Sequence, residues 1–296
     1  MKDKKTVFIS FLGYTLALAG EFEAGDEEIS VLAGTLIPGA VVVERAPKVD
    51  FSLTHFESSE RRLERIGNGV VIYDNWGGKL SLDAWHALYS AARILMLKKK
   101  YYCVHSACVG GEKNVLLVGH TGCGKSNILL KLVNDYDWKV FSGNKTVISF
   151  ENGGVTALDG TKTMSISSTD ADKFPQLVAK RVDYQNRTAF LLDQSHYFEN
   201  SPIKIDAIYV VRLNDGVAEN NALEFPSSMH TLYPFFMDTV NADTVLCDGE
   251  DVFAGTPPEG SQKYLSQSLA KTLSFVKASR ISGSIDFVTK IIAEDL

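Results

Sequence analysis

The chain has few cysteines, no long hydrophobic run and no excess of positive charge. Its 296 residues include 4 cysteines, and 30 Lys and Arg against 36 Asp and Glu give a net charge of −6. A general nucleic-acid-binding protein needs a basic face to neutralise phosphates, so we expect no nucleic-acid partner. The cysteines form no zinc-ligand spacing, and reduced thiols are expected. No segment reaches the ~18 apolar residues of a membrane-spanning helix, so no membrane partner is expected.

The rest of the composition is that of a globular protein. Apolar residues make up 45% of the chain, and at roughly 100–200 residues per domain the length predicts one large domain or two modest ones. Lysines at the N-terminus precede an apolar stretch at 7–18 and imitate a secretory signal. Polar residues such as Ser10 and Thr15 interrupt that stretch, so a cytoplasmic protein is expected.

Residues 1–95 are predicted to form a β-rich N-terminal region. Short runs of strand-forming residues, including 31–37, alternate there with Gly, Pro and acidic turns. A helical spacing of apolar residues over 81–97 lies at the boundary. We place the boundary near residue 95.

Residues 96–296 are predicted to form a second, α/β domain. A short apolar strand at 114–118 leads into a glycine-rich loop at 119–126 and a helix at 127–134, and further apolar strands follow. Helices are predicted at 261–278 and 284–294. This order of elements is typical of helices packed on a sheet.

The glycine-rich loop carries the motif that points to chemistry. Its sequence, GHTGCGKS, fits the pattern G-x-x-x-x-G-K-[ST] of phosphate-binding loops. The glycines allow the backbone N–H groups to point at phosphate oxygens, and the following helix adds the positive end of its dipole. Lys125 is predicted to reach the β- and γ-phosphates, and the Ser126 hydroxyl to bind Mg²⁺. The predicted nucleotide-binding residues are Gly119, His120, Thr121, Gly122, Cys123, Gly124, Lys125 and Ser126.

Several alternatives remain open for this loop. The whole segment also fits an ordinary glycine-rich turn. His120 occupies a variable position of the motif and contacts either substrate or nothing. Cys123 occupies another variable position, where it serves either as a packing residue or as a redox switch.

The loop and its surroundings resemble the HPr kinase/phosphorylase-related kinases, whose core is similar to that of ATP-dependent phosphoenolpyruvate carboxykinases. The resemblance covers roughly residues 100–296 and is specific at 103–142, where a histidine-bearing strand precedes the loop and a helix and a strand follow it. It implies a P-loop kinase core that uses ATP and Mg²⁺. It also places His105 near the transferring phosphoryl group, although a hydrogen-bonded histidine on a buried strand is the alternative.

The chain departs from that family after the P-loop helix. The family usually carries an acidic pair there, whereas Gly143 and Asn144 follow the strand here. Asn144 can ligate a cation or orient a hydroxyl, but it cannot act as a general base. Asp193 ends an apolar strand and is the candidate replacement, as a carboxylate that holds Mg²⁺ through water. Asp159 and Asp215 lie in turn sequences and are expected to form turns.

These observations predict an ATP- and Mg²⁺-dependent kinase that phosphorylates a hydroxyl group, with a small molecule as acceptor. The candidate catalytic residues are Lys125, His105, Asn144 and Asp193, and the candidate metal ligands are Ser126 and Asp193. The alternatives are a protein serine kinase, a regulatory or scaffold module that binds nucleotide without efficient catalysis, and an ATPase that drives a partner. Self-association is left open.

Overall fold

The structure is a computed structural model that describes residues 5–23, 25–75, 77, 82–151, 153–164, 166, 169, 172–184, 187–238, 240, 247–248, 251–252 and 255–294. The chain divides into two compact units, one of residues 1–100 with 241–259 and one of residues 101–240 with 260–296. Both contain strands and helices, so the fold is mixed α/β. Within the described residues, no helix combines the length and the apolar character needed to span a membrane.

The described residues of the first unit form a six-stranded sheet, two helices and a short pair of strands. Its main elements are β1 (Lys5–Phe11), β2 (Tyr14–Gly20), α1 (Asp26–Leu36), β3 (Val41–Val43), β4 (Phe51–Glu57), β5 (Arg62–Ile66), β6 (Gly69–Asp74) and α2 (Leu82–Lys98). The strand order is β3-β1-β2-β4-β6-β5, in which β2, β4 and β6 are parallel and the other pairs are antiparallel. The predicted β-rich region therefore also holds two helices.

The segment 31–37 was predicted as a strand, and this prediction is wrong, because all but its last residue lie in α1. The buried side chains Ile29, Leu32, Ala33 and Leu36 lie at positions i, i+3, i+4 and i+7, which is the spacing of one helical face. The segment predicted as a strand begins at residue 31, so it leaves out Ile29, the first residue of the helical spacing.

The second unit contains most of the remaining elements. They are β7 (Tyr102–Val104), β8 (Ser106–Gly110), β9 (Asn114–Val118), α3 (Lys125–Tyr136), β10 (Lys139–Ser142), β11 (Thr146–Glu151), β12 (Gly154–Gly160), β13 (Val178–Tyr184), β14 (Arg187–Leu192), a 3₁₀ turn (Gln194–His196), β15 (Ile203–Ile205), β16 (Ala207–Leu213), β17 (Glu219–Ala222), α4 (Ser227–Met237), α5 (Ser261–Thr272), β20 (Lys277–Gly283) and α6 (Ile285–Glu294). The short strands β18 (Cys247–Asp248) and β19 (Asp251–Val252) belong to the first unit.

The predicted helix over 261–278 is too long. It ends at Thr272, and residues 277–283 form β20 instead. This strand pairs in parallel with β16 over its whole length, and its Ile281 is fully buried in the core. Tertiary pairing therefore overrides the local helical pattern.

The main sheet of the second unit has the order β10-β8-β9-β16-β20-β17. Strands β9, β16 and β20 are parallel, and β8 is antiparallel to both β9 and β10, so β10 runs in the same direction as β9. The carboxyl ends of β9, β10, β16 and β20 consequently lie at one edge, together with the start of β8. Helices α3 and α6 pack on one face of this sheet, and a second sheet has the order β15-β12-β11-β7.

Candidate phosphate-binding site

The glycine-rich loop connects β9 to α3 at the carboxyl edge of the main sheet. Gly119, Gly122 and Gly124 have φ angles of 151°, 79° and 99°, which residues with a Cβ rarely adopt. A Cβ on Gly119 would lie 2.8 Å from the carbonyl oxygen of Val211, and one on Gly124 would collide with the side chain of Leu213. Backbone conformation and lack of space therefore both require glycine in this loop.

The first turn of α3 has no capping side chain. The helix begins at Lys125, its N-cap residue is Gly124, and the Ile128 N–H donates to the Gly124 carbonyl. The N–H groups that precede Ile128 in the helix have no partner within the helix. These amides and the positive end of the helix dipole favour an anion at this point. Ser126 lies half-buried in the same turn.

Lys125 is a buried cation for which the described part of the chain provides no carboxylate partner. Its side chain donates to the carbonyl oxygens of Gly119 at 2.7 Å and His120 at 3.2 Å, and its Nζ lies 3.8 Å from the Cys123 Sγ. Burial lowers the pKa of Lys125, and the neighbouring thiol opposes that shift. Because a buried charge is costly without a counter-ion, an anionic ligand would stabilise this arrangement.

His105 lies between β7 and β8, beside the glycine-rich loop. Burial, together with the positive charges of Lys125 and Lys145, lowers the pKa of His105 to about 4. A hydrogen bond with the Asn144 side chain opposes this shift. The ring is therefore neutral at pH 7 and has a nitrogen lone pair that can accept a proton. The structure thus brings His105, Asn144 and Lys125 together.

The loop after β10, which carries Asn144, is held by hydrogen bonds from two other elements. The Thr161 Oγ1 accepts from the N–H groups of Asn144 at 3.2 Å and Lys145 at 2.9 Å. The Gly143 N–H donates to the Thr161 carbonyl at 2.8 Å, and the Ser106 N–H donates to the Asn144 carbonyl at 3.2 Å. These bonds fix the backbone from which the Asn144 side chain reaches His105.

Gly143 occupies a position that has no room for a side chain. A Cβ there would lie 2.5 Å from the Met164 Cγ and 2.7 Å from the carbonyl oxygen of Thr163. The packing therefore excludes a carboxylate side chain at this position. Asn144 is the polar side chain that remains.

Asp193 lies outside the sheet that carries the loop. The strand before it, β14, forms a separate two-stranded sheet with β13. The Asp193 Oδ1 accepts hydrogen bonds from the Ser195 hydroxyl at 2.6 Å and from the Ser195 N–H at 3.0 Å, and these bonds lower the pKa of Asp193. The carboxylate thus caps the 3₁₀ turn that follows. Its role as a metal ligand and catalytic group stays a prediction.

No described contact joins Asp159 or Asp215 to the glycine-rich loop. Asp159 is half-buried on β12, where its Oδ1 accepts from the Gly160 N–H at 2.7 Å, and burial raises its pKa. Asp215 is exposed in the turn after β16, and Asn214 supplies the side-chain hydrogen bond of that turn.

Three residues that contact the site were not predicted from the sequence. Lys145 acts on the His105 ring, Thr161 holds the loop after β10, and the Phe235 ring of α4 lies 5.0 Å from the ring of His120. Lys145 directly follows the candidate residue Asn144 in the chain, and this adjacency is a sequence signal that could have identified it. Thr161 and Phe235 come from distant elements, and no local pattern indicates them.

Comparisons with known proteins do not show what this site binds. No protein-family model matches the chain, and no curated protein matches it. Among solved structures, the chain is similar to the Hpr(Ser) kinase/phosphatase from Coxiella burnetii, with 11% sequence identity and a TM-score of 0.30, over 65% of this chain and 95% of that one. A similarity at this level carries no argument about the site, which rests on its own geometry.

Proposed function

We propose that this chain binds ATP with Mg²⁺ at the glycine-rich loop and transfers the γ-phosphoryl group to a hydroxyl group of a small molecule. The observation that carries the proposal is the environment of Lys125. This buried cation lies in a loop of three glycines at positive φ, against two loop carbonyls, with no carboxylate partner among the described residues. Together with the uncapped amides of α3, it fits a polyphosphate better than an ordinary turn.

The residues at the loop fit a nucleotide-bound Mg²⁺ in part. Mg²⁺ usually takes few protein oxygens and completes its shell with phosphate oxygens and water. The Ser126 hydroxyl would be such a protein ligand, and the described residues contain no cluster of three His, Cys, Asp or Glu that would form an independent metal site. When bound, the ion would neutralise charge on the phosphate oxygens.

The chemistry depends on positioning and charge neutralisation more than on covalent participation of the protein. Lys125 and the loop amides would neutralise the γ-phosphoryl group, and Lys145 adds a second positive charge beside His105. The acceptor oxygen attacks the γ-phosphorus, the bond to the β–γ bridging oxygen breaks, and ADP leaves. His105 takes the proton of the acceptor hydroxyl. Phosphate bound beside Lys125 would raise the pKa of His105 and make it a stronger base in the complex.

A second candidate function is a regulatory module that binds nucleotide without efficient turnover. The specific observation in its favour is the loop after β10, where Gly143 has no room for a side chain and Asn144 supplies an amide, which cannot act as a general base. A weak general base slows proton transfer without preventing nucleotide binding.

The proposal is tested by measuring Mg²⁺-dependent ADP release from ATP, with GTP in parallel, in the presence and absence of a pooled metabolite extract. Lys125→Ala tests the loop, and Lys131→Ala on the same helix is the matched control. Release that the extract stimulates and that Lys125→Ala lacks supports a kinase, and the new phosphorylated mass identifies its acceptor. Tight ATP binding with no turnover under any condition would replace the kinase with the regulatory module.

A further inference from the structure

Two exposed arginines lie near the carboxyl edge of the main sheet, on the face opposite α3 and α6. Tyr209 and Val211 of β16 face the core formed with α3 and α6, so the alternate residue Arg212 faces the other side. Val210 pairs with Arg280 of β20, which places Arg280 on the same side and diagonal to Arg212. Both side chains are exposed. We call this pair, Arg212 and Arg280, the arginine strip.

Helix α4 links the arginine strip to the glycine-rich loop. The Arg280 Nη2 donates to the Thr231 Oγ1 at 3.3 Å, and the Phe235 ring lies 5.0 Å from the His120 ring. Thr231 and Phe235 are four residues apart, so they lie on one face of the helix, about one turn of ~5.4 Å from each other. Arg280 is therefore about one helical turn from the point where α4 meets the loop.

The arginine strip has hydrogen-bonding capacity that the described residues leave unused. A guanidinium has five N–H donors, and the described bond of Arg280 is the one with Thr231. Neither arginine forms an ion pair within the described ranges. The carboxylates nearest in sequence or register are Asp215, in the turn after β16, and Glu219, which pairs with Ser282 on β20; both are exposed. The two guanidinium groups are therefore diagonal neighbours of like charge on one face of the sheet.

We propose that the arginine strip binds an anionic group, a carboxylate or a phosphate, on the acceptor molecule. A guanidinium matches both groups through paired hydrogen bonds, and two adjacent arginines hold one anion in a fixed orientation. The inference rests on the proposed function and deepens it, because it defines the acceptor as a small molecule that carries a hydroxyl group and a negative charge. Thr231 and Phe235 form the side of the site towards α4.

The test measures binding of succinate and phenyl phosphate to the full chain by isothermal titration calorimetry, with Mg²⁺ and a non-hydrolysable ATP analogue present to occupy the loop. Succinamide and phenol are the uncharged controls. We expect one of the anions to bind, and Arg212→Gln and Arg280→Gln each to weaken it about tenfold or more, as loss of a charge-assisted contact does. Lys290→Gln is the matched control, since it lies on α6, across the sheet. The anion that binds distinguishes a carboxylate from a phosphate.

Two results would overturn the inference: neither anion binds, or both arginine variants bind like the wild type. Because both side chains are exposed, the variants are expected to keep the thermal unfolding midpoint of the wild type, and this is measured in parallel. If the anion binds through the arginines but the chain binds no nucleotide, the proposed function is overturned. The anion site is then still supported. The two failures are therefore distinguishable.

Discussion

The ammonium group of Lys125 donates a 2.7 Å hydrogen bond to the carbonyl oxygen of Gly119, within the loop from which its own helix begins. The lysine is thus folded over the loop, with its charge in a largely buried position. Phosphate oxygens would compete for the same N–H donors, and they are stronger acceptors because they are charged. This relationship is the physical basis for placing a polyphosphate at the loop.

The conformation of the loop depends on Gly124. Replacement by alanine would force a Cβ into φ 99° and against Leu213. We expect Gly124→Ala to lower the free energy of unfolding by about 1–2 kcal/mol and to weaken nucleotide binding. Gly154→Ala is the control, because its Cβ would meet only the Glu151 carbonyl oxygen at 3.5 Å. Urea unfolding measures both variants, and equal stabilities would contradict the strain.

Asn144→Asp is expected to raise the rate of phosphoryl transfer. It adds a carboxylate that can take a proton beside His105, a ring that the positive charges of Lys125 and Lys145 also reach. A steady-state assay of ADP release measures the effect. Gly143→Asp is the contrasting variant, since its side chain meets Met164, and we expect it to destabilise the protein by about 1–3 kcal/mol. A lower rate in Asn144→Asp would show that the amide is adapted to a particular substrate.

The pKa of His105 reports on the occupation of the loop. It lies at about 4 in the free protein, because of burial and the charges of Lys125 and Lys145. Bound triphosphate compensates the charge of Lys125, so we expect the pKa to rise when ATP is added, as measured by NMR titration of the ring protons. Lys145→Ala is expected to raise it in the absence of ATP. A pKa near 6.5 in the free wild type would refute the described surroundings.

The same shift makes folding stability depend on pH. The folded-state pKa of His105 is about 4, below the ordinary value of 6.5, so the unfolded chain binds more protons between these values. The contribution of His105 to stability is complete above pH 6.5 and is lost as the pH falls towards 4. We expect His105→Gln to flatten the decline of the unfolding free energy over this range, measured by urea unfolding at several pH values. A decline of unchanged slope would contradict this account.

Much of this region was predictable because its signals are local. The strand at 114–118 and the loop at 119–126 lie where the sequence places them, since a short apolar run and fixed glycines need no distant partner. The segment 31–37 was misassigned because Ile29, which completes the helical period, precedes it. Lys277 and Ala278 were wrongly assigned to a helix because they belong to β20, which depends on pairing with β16.

The parts of the site that could not be predicted depend on contacts between distant segments. Thr161 holds the loop after β10 from 16 residues away in sequence, and Phe235 approaches His120 from another helix. An apolar strand that ends in Asp193 gives the same local pattern whether it joins the main sheet or a separate hairpin, so sequence alone could not reveal the capping contacts of this residue.

Asp193 has two possible roles, which two variants separate. Asparagine can still accept the hydrogen bonds from Ser195 but removes the negative charge, whereas alanine removes both. If the carboxylate only caps the 3₁₀ turn, Asp193→Asn leaves the Mg²⁺ titration of ADP release unaltered, and Asp193→Ala lowers the free energy of unfolding. A higher Mg²⁺ requirement in Asp193→Asn would instead place this carboxylate in the metal site.

The central claim is that Lys125 and its loop bind a nucleoside triphosphate. The most direct test is the dissociation constant of Mg²⁺–ATP for the wild type, Lys125→Ala and Lys131→Ala, measured by isothermal titration calorimetry. We predict binding by the wild type and by Lys131→Ala, and a loss of about a hundredfold in Lys125→Ala, since the ammonium supplies charge-assisted bonds to the phosphates. Absence of binding in the wild type, or equal affinity in all three proteins, would contradict the claim.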